Sequence, residues 1–314
     1  LRGRRTSLTT TPNRAASSKG HIECVQLLLA ANAAVDKPTS DGRTPLLAAC
    51  YEGQAACVRL LVGAHASVDQ PNKRRATPLF VALNKRHVEC VRMLLGARAT
   101  VNQPNACNDG LTHLHAACNG GSSECVQMLL AAHAEVDRPA TDGVTPLHAA
   151  CNRDNSNCVQ LLLAARAEVD PPDNKGATPL HAACLDGNDG CVRLLLFARA
   201  ATDQTDINGL TPLHATCGGG YLDIVKQLVQ AGARTDLRAS NGLTVLRMAE
   251  DLSHTAIAKY LRTNRRAPAL AAAAAMSAKE RAAAERAAEL AATALLAELE
   301  AESRAPYWQR KIRS

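Results

Sequence analysis

VTPLHAAC at residues 144–151, ATPLHAAC at 177–184 and LTPLHATC at 210–217 are three copies of one octapeptide, set 33 residues apart. Working outward, a Thr-Pro-Leu-like triplet starts at Thr11, Thr44, Thr77, Thr112, Thr145, Thr178, Thr211 and Thr244. Six of the seven steps are 33 residues and one, Thr77 to Thr112, is 35. A period of this size describes a stack of supersecondary units, each too small to bury its own apolar face.

The unit beginning at Thr145 shows how one copy is expected to fold. Gly143 permits a tight turn. Thr145 stands as an N-cap and Pro146 takes the first helical position, where its missing donor costs nothing. Leu147, Ala150 and Cys151 fall at i, i+3 and i+4, one apolar face. This first helix is expected to end near Asp154. A second helix carries Cys158, Val159, Leu161, Leu162 and Leu163 to about Arg166, and Pro171-Pro172 then resists helix.

The T-P-L-H-x-A motif at this period, with C-V-x-L/M-L-L in the second helix and a following Val-Asp or Val-Asn, resembles the ankyrin-repeat family. The resemblance covers residues 11–264. It implies an all-α ankyrin-repeat solenoid of stacked helix-turn-helix units joined by hairpin-like loops. Residues 1–10 form a basic N-terminal segment and 265–314 an Ala/Glu/Arg-rich tail.

Charge follows the same division. The net charge is +7. Residues 1–10 contribute +3 and 265–314 another +3, from nine Lys/Arg against six Glu. The repeats hold 24 basic and 23 acidic residues, a balance that argues against a nucleic-acid groove. No run of 18 apolar residues exists, so no transmembrane helix is expected. The chain begins at Leu1 rather than Met, as a fragment or processed product would, and LRGRRTSLTT, with no apolar run after its arginines, does not read as a secretory signal.

Eleven of the twelve cysteines fall into two columns. Six residues after the repeat's Thr lie Cys50, Cys118, Cys151, Cys184 and Cys217. Thirteen after it lie Cys24, Cys57, Cys90, Cys125, Cys158 and Cys191. Both columns suit small apolar side chains, which free Cys imitates, so core packing is expected. A bridge within one repeat, such as Cys151 to Cys158, is not established by spacing alone. Zinc spacing is absent, and no cofactor or metal is expected. Unpaired thiols point to an intracellular, reducing compartment, cytoplasmic or nuclear. His115, His148, His181 and His214 form a further column. Successive copies sit one helix layer apart, about 8–10 Å, too far to share a metal at about 2 Å. The resemblance implies a structural hydrogen-bonding role for them.

Several positions depart from the family. Gly is usual at the end of the second helix, where this chain has Asn32, His65, Arg98, His133, Arg166, Arg199 and Gly232. Arg there meets a steric penalty, while its charge complements the helix dipole. This column is read as solvated capping charge, with an acidic-partner stripe as the alternative. Lys73-Arg74-Arg75 replaces the usual Gly-containing turn, and His113 replaces Pro.

The resemblance places partner binding on the concave side, at turn tips and first-helix ends. The positions carried over are Arg43, Tyr51, Glu52, Lys73, Arg74, Asn84, Lys85, Asn119, Asn152, Arg153, Lys175 and Asp186, with Asn108, Asp109, Asn174, Leu185 and Ile207 beside them. Tyr51 and the Lys73–Lys85 basic cluster stand out as hot-spot candidates. The expected function is a non-catalytic scaffold or adaptor that binds another protein, one with an acidic surface near the second and third units. The alternative is a regulatory or substrate-targeting fragment of a larger enzyme. No nucleic acid partner is expected. The tail reads as a helix of about 36 residues. Its Leu290, Leu295, Leu296 and Leu299 lack sustained heptads, so a monomer is expected over a tail-mediated coiled coil.

Overall fold

The computed structural model describes residues 12–103 and 110–264. The expected tail helix, the basic N-terminus, Cys107, Asn108 and Asp109 lie outside the described residues. Sixteen α-helices and no strand occur among the described residues. The described residues fall into two compact units, one up to Glu135 and one from Val136.

In the first unit the helices run in pairs: α1 (Pro12–Lys19) with α2 (Ile22–Ala30), α3 (Pro45–Glu52) with α4 (Ala55–Gly63), α5 (Pro78–Asn84) with α6 (Val88–Gly96), and α7 (His113–Gly120) with α8 (Ser123–Ala131). First helices pack on first helices (α1 on α3, α3 on α5, α5 on α7), and α2, α4, α6 and α8 stack likewise. The second unit repeats the plan with α9 (Pro146–Cys151), α10 (Ser156–Ala164), α11 (Pro179–Asp186), α12 (Asp189–Phe197), α13 (Pro212–Gly219), α14 (Leu222–Gln230), α15 (Val245–Asp251) and α16 (Thr255–Thr263).

The octapeptide explains each first helix. Thr44 and Thr77 have extended backbones, and their hydroxyls accept the N–H of Leu47 at 3.1 Å and Phe80 at 3.2 Å. Such a cap is worth about 1 kcal/mol. Pro at the first helical position follows in α3, α5, α9, α11 and α13. The Leu of the motif is buried, as is the Val of each C-V-x-L/M-L-L segment; Leu61, Leu94, Leu129, Leu162 and Leu195 follow it into the core, whereas Leu28 of the first pair is only half-buried. The helix opened by Thr145 stops at Cys151, short of the expected Asp154, because residues 152–154 turn and Asp154 takes φ 53°.

Ten of the eleven described cysteines are buried, and no disulfide joins any of the eleven. Cys24 departs from the core role: it is exposed. Its column faces the preceding helix pair, as Cys191 does against Asp154 and Ser156, and α2 belongs to the first described pair.

Successive turns also interlock. The Lys73 N–H donates to the Asp41 carbonyl at 3.1 Å in the first unit, and the Asn174 N–H to Asp142 at 2.9 Å in the second. A Cβ on Gly143 would come within 2.7 Å of the Asn174 nitrogen, so glycine is required at that turn.

A turn-tip and first-helix surface as candidate functional site

The histidine column is assigned by its hydrogen bonds. Nδ1 of His148 accepts the Thr145 N–H at 3.2 Å, and Nε2 donates to the Ala177 carbonyl of the next pair at 3.0 Å. His181 does the same with Thr178 and Leu210, and His214 with Thr211 and Leu243. An imidazole that accepts at Nδ1 and donates at Nε2 is neutral. Burial lowers all three pKa values below the ordinary 6.5, against the opposing pull of the carbonyls and of Asp142, Asp173 and Asp206. These side chains join layers and are satisfied in doing so.

His113 is different. It is 1% exposed and takes the place of the first-turn proline. Its Nδ1 lies 2.7 Å from the Val101 carbonyl, so Nδ1 carries the proton. Its Nε2, 3.0 Å from the Thr77 hydroxyl, accepts from it. Thr77 therefore caps α5 and links to α7 with one oxygen.

Asp69 and Asp170, each after a Val, and Asp203, after Thr202, have a role that the sequence did not disclose. The Asp69 carboxylate accepts the Thr100 N–H at 3.0 Å, Asp170 the Ala201 N–H at 3.0 Å and Asp203 the Arg234 N–H at 2.8 Å. In each case the donor lies 31 residues on, so the column ties neighbouring pairs. Spacing carried the signal, but nothing in sequence identified a backbone N–H as the partner.

The candidate surface residues are exposed in both units. In the first unit the structure brings three of them together. Tyr51, at the end of α3, is 41% exposed. The Lys85 Nζ lies 4.4 Å from its ring centroid and the Arg43 guanidinium carbon 5.8 Å. Arg43 is held by Asp41 at 2.8 Å, so it arrives partly neutralised. The Tyr51 carbonyl accepts from His87 Nε2 at 3.2 Å, which fixes the helix end under the ring. The backbone N–H of Arg74 donates to Asn72 Oδ1 at 2.9 Å, fixing the Lys73-Arg74 turn. Glu52, Asn84 and Asn119 are exposed at the ends of their helices.

In the second unit Asn152 and Arg153 follow α9, Lys175 occupies a turn tip and Asp186 ends α11. Leu185 and Ile207 stand out at 64% and 67% exposed. The Ile207 N–H donates to the Lys175 carbonyl at 2.8 Å, so the two tips are neighbours. Among the described residues no group of three His, Cys, Asp or Glu is placed to hold a metal ion, and no helix is long and apolar enough to cross a membrane.

The family model for ankyrin repeats matches residues 4–72, 65–140, 114–206 and 189–269. The chain belongs to the ankyrin-repeat family. The crystal structure of the human ASB11 ankyrin repeat domain is similar at 27% identity and a TM-score of 0.65, over 71% of this chain and 99% of that one. No curated protein matches. Ankyrin repeats are generally protein–protein interaction modules, typically without catalysis of their own.

Proposed function

We propose that this chain is a non-catalytic scaffold that grips a protein partner with turn tips and first-helix ends, anchored at Tyr51. The observation that carries it is the Tyr51 ring set between Lys85 and Arg43 on an exposed surface. Each cation–π contact at such a site is worth about 0.5–1 kcal/mol and holds the ring in place. An ordered aromatic beside cations suits a partner segment with an apolar group flanked by carboxylates. Lys73 and Arg74 on the adjacent tip extend the positive surface, while Glu52 limits it on one side. In the second unit Leu185 and Ile207 offer apolar contact, bordered by Lys175, Asp186, Asn152 and Arg153.

The test is a pull-down with Tyr51→Ala combined with Lys73→Glu and Arg74→Glu. Loss of the partner with helix content retained is expected. Unchanged binding rejects the proposed anchor.

A further inference from the structure

We propose that Cys151 and Cys191 form an oxidisable dithiol, at which a hydroperoxide makes a disulfide joining one helix pair to the next. Cys151 ends α9 and Cys191 lies in the first turn of α12, in the following pair. Asp154 and Ser156, which follow Cys151 in the chain, both reach the Cys191 sulfur, and Cys151 is the strongest influence on that thiol. The Asn188 side-chain amide donates to the Cys151 carbonyl at 2.6 Å and pins the two helix ends together.

Three substitutions within the repeat pattern converge on this pair. Nine residues after the repeat's Thr, where Gly53, Gly187 and Gly220 stand in other copies, this copy has Asp154. Asp154 keeps the glycine-like conformation at φ 53°, as Arg86 and Ser253 do at the same position of their copies. Its Oδ1 lies 3.7 Å from Cys191 Sγ and accepts the thiol proton. Ser156 Oγ lies 3.8 Å from the same sulfur. Gly190 makes room for that hydroxyl, since a Cβ there would meet Ser156 Oγ at 2.4 Å.

This setting alters the thiol. Burial pushes Cys184 upward and Cys217 up to about 12. Cys191 is lowered instead: hydrogen bonds from Cys151 and then Ser156 outweigh burial and both the charge and the hydrogen bond of Asp154. The N-terminus of α12 adds a field that favours thiolate. Cys191 itself is buried, and an open cleft of about 470 Å³ lined by Ser156, Gly190 and Phe197 lies beside it, the route by which an oxidant would approach. Cys50 and Cys90 supply the internal comparison. They occupy the same columns, but Gly53, Ala55 and Glu89 stand where the reactive pair has Asp154, Ser156 and Gly190. Burial pushes Cys90 up to about 11.

The chemistry balances with the hydroperoxide as oxidant. The Cys191 thiolate attacks one peroxide oxygen and the O–O bond breaks. The departing alkoxide takes the proton lost by the thiol and leaves as an alcohol, or as water from hydrogen peroxide. Cys191 is then a sulfenic acid. The Cys151 sulfur attacks it, the S–S bond forms, the S–O bond breaks, and hydroxide leaves as water with the Cys151 proton. Two thiols lose two electrons and the peroxide gains them.

The experiment treats the folded full chain with limiting hydrogen peroxide, blocks remaining thiols and maps disulfides by mass spectrometry. The Cys151–Cys191 bridge is expected first, at least about tenfold faster than Cys50–Cys90, because thiolate fraction governs the rate. Ser156→Ala should slow bridging without changing the melting temperature. Cys151→Ser should leave a sulfenic acid on Cys191 that dimedone captures. A first bridge elsewhere, no bridge while the chain stays folded, or a Ser156→Ala protein oxidised at the wild-type rate overturns the proposal.

Discussion

Arg98, Arg166 and Arg199 sit in the left-handed region at φ 61°, 62° and 63°, where the family usually has Gly. Each closes a helix. The Arg166 N–H donates to the Leu163 carbonyl at 3.0 Å, and the Ala167 N–H to Leu162 at 2.9 Å. The Cβ penalty there is about 1–2 kcal/mol, offset by about 0.3–1 kcal/mol of charge–dipole attraction. Glycine would remove the strain but enlarge the freedom of the unfolded chain. Arg166→Gly should therefore leave stability unchanged or raise it by up to about 1 kcal/mol, read from chemical denaturation. A loss of more than that amount would mean the arginine makes a stabilising contact. The column histidines carry a second prediction at this scale. His148, His181 and His214 have lowered pKa values when folded, so the unfolded chain binds more protons just below about pH 6.5. Their contribution is complete above that pH and declines as the pH falls toward the folded values. Stability should drop between about pH 7.5 and about pH 5.5, with a slope of about 1.4 kcal/mol per pH unit for each proton taken up on unfolding. A flat profile would contradict the neutral assignment.

At the scale of elements, α7 shows where a family rule yields to packing. Proline is favoured at a first helical position, and α3, α5, α9, α11 and α13 have it. His113→Pro would supply it to α7 but leave the Thr77 hydroxyl and the Val101 carbonyl without their partner. A loss of about 1–3 kcal/mol is expected, measured by thermal or urea unfolding. A gain would show that helix initiation outweighs this link. The same helix marks what the sequence could disclose. Period, caps and apolar faces are local properties, so helix pairs were legible from Thr, Pro and Leu spacing alone. The bond from His113 to Thr77 spans 36 residues, and that from Asp170 to Ala201 spans 31. A residue type names half of such a pair, while the other half is a hydroxyl or a backbone group selected only by folding. Cys24 shows the converse, because its column spells core although the first described pair leaves it exposed. Of the candidate surface, exposure followed from column position. The gathering of Arg43 and Lys85 around Tyr51 came from side-chain placement that no periodicity encodes.

For the whole molecule, the repeat pattern and the charge pattern lead to one account. The repeats are near neutral and the positive excess lies mainly at the two ends of the sequence, so a basic patch within the repeats is a local feature. Tyr51 with its two cations is such a patch, and it is the centre of the proposed partner surface. The most direct measurement is quantitative affinity purification with the full chain, comparing wild type, Tyr51→Ala with Lys85→Glu, and Arg166→Gly as a surface control. The account predicts a partner held by wild type and by the control, lost from the double variant, with equal helix content in all three. An identical partner set for all three proteins, or no stable partner for wild type, would contradict it.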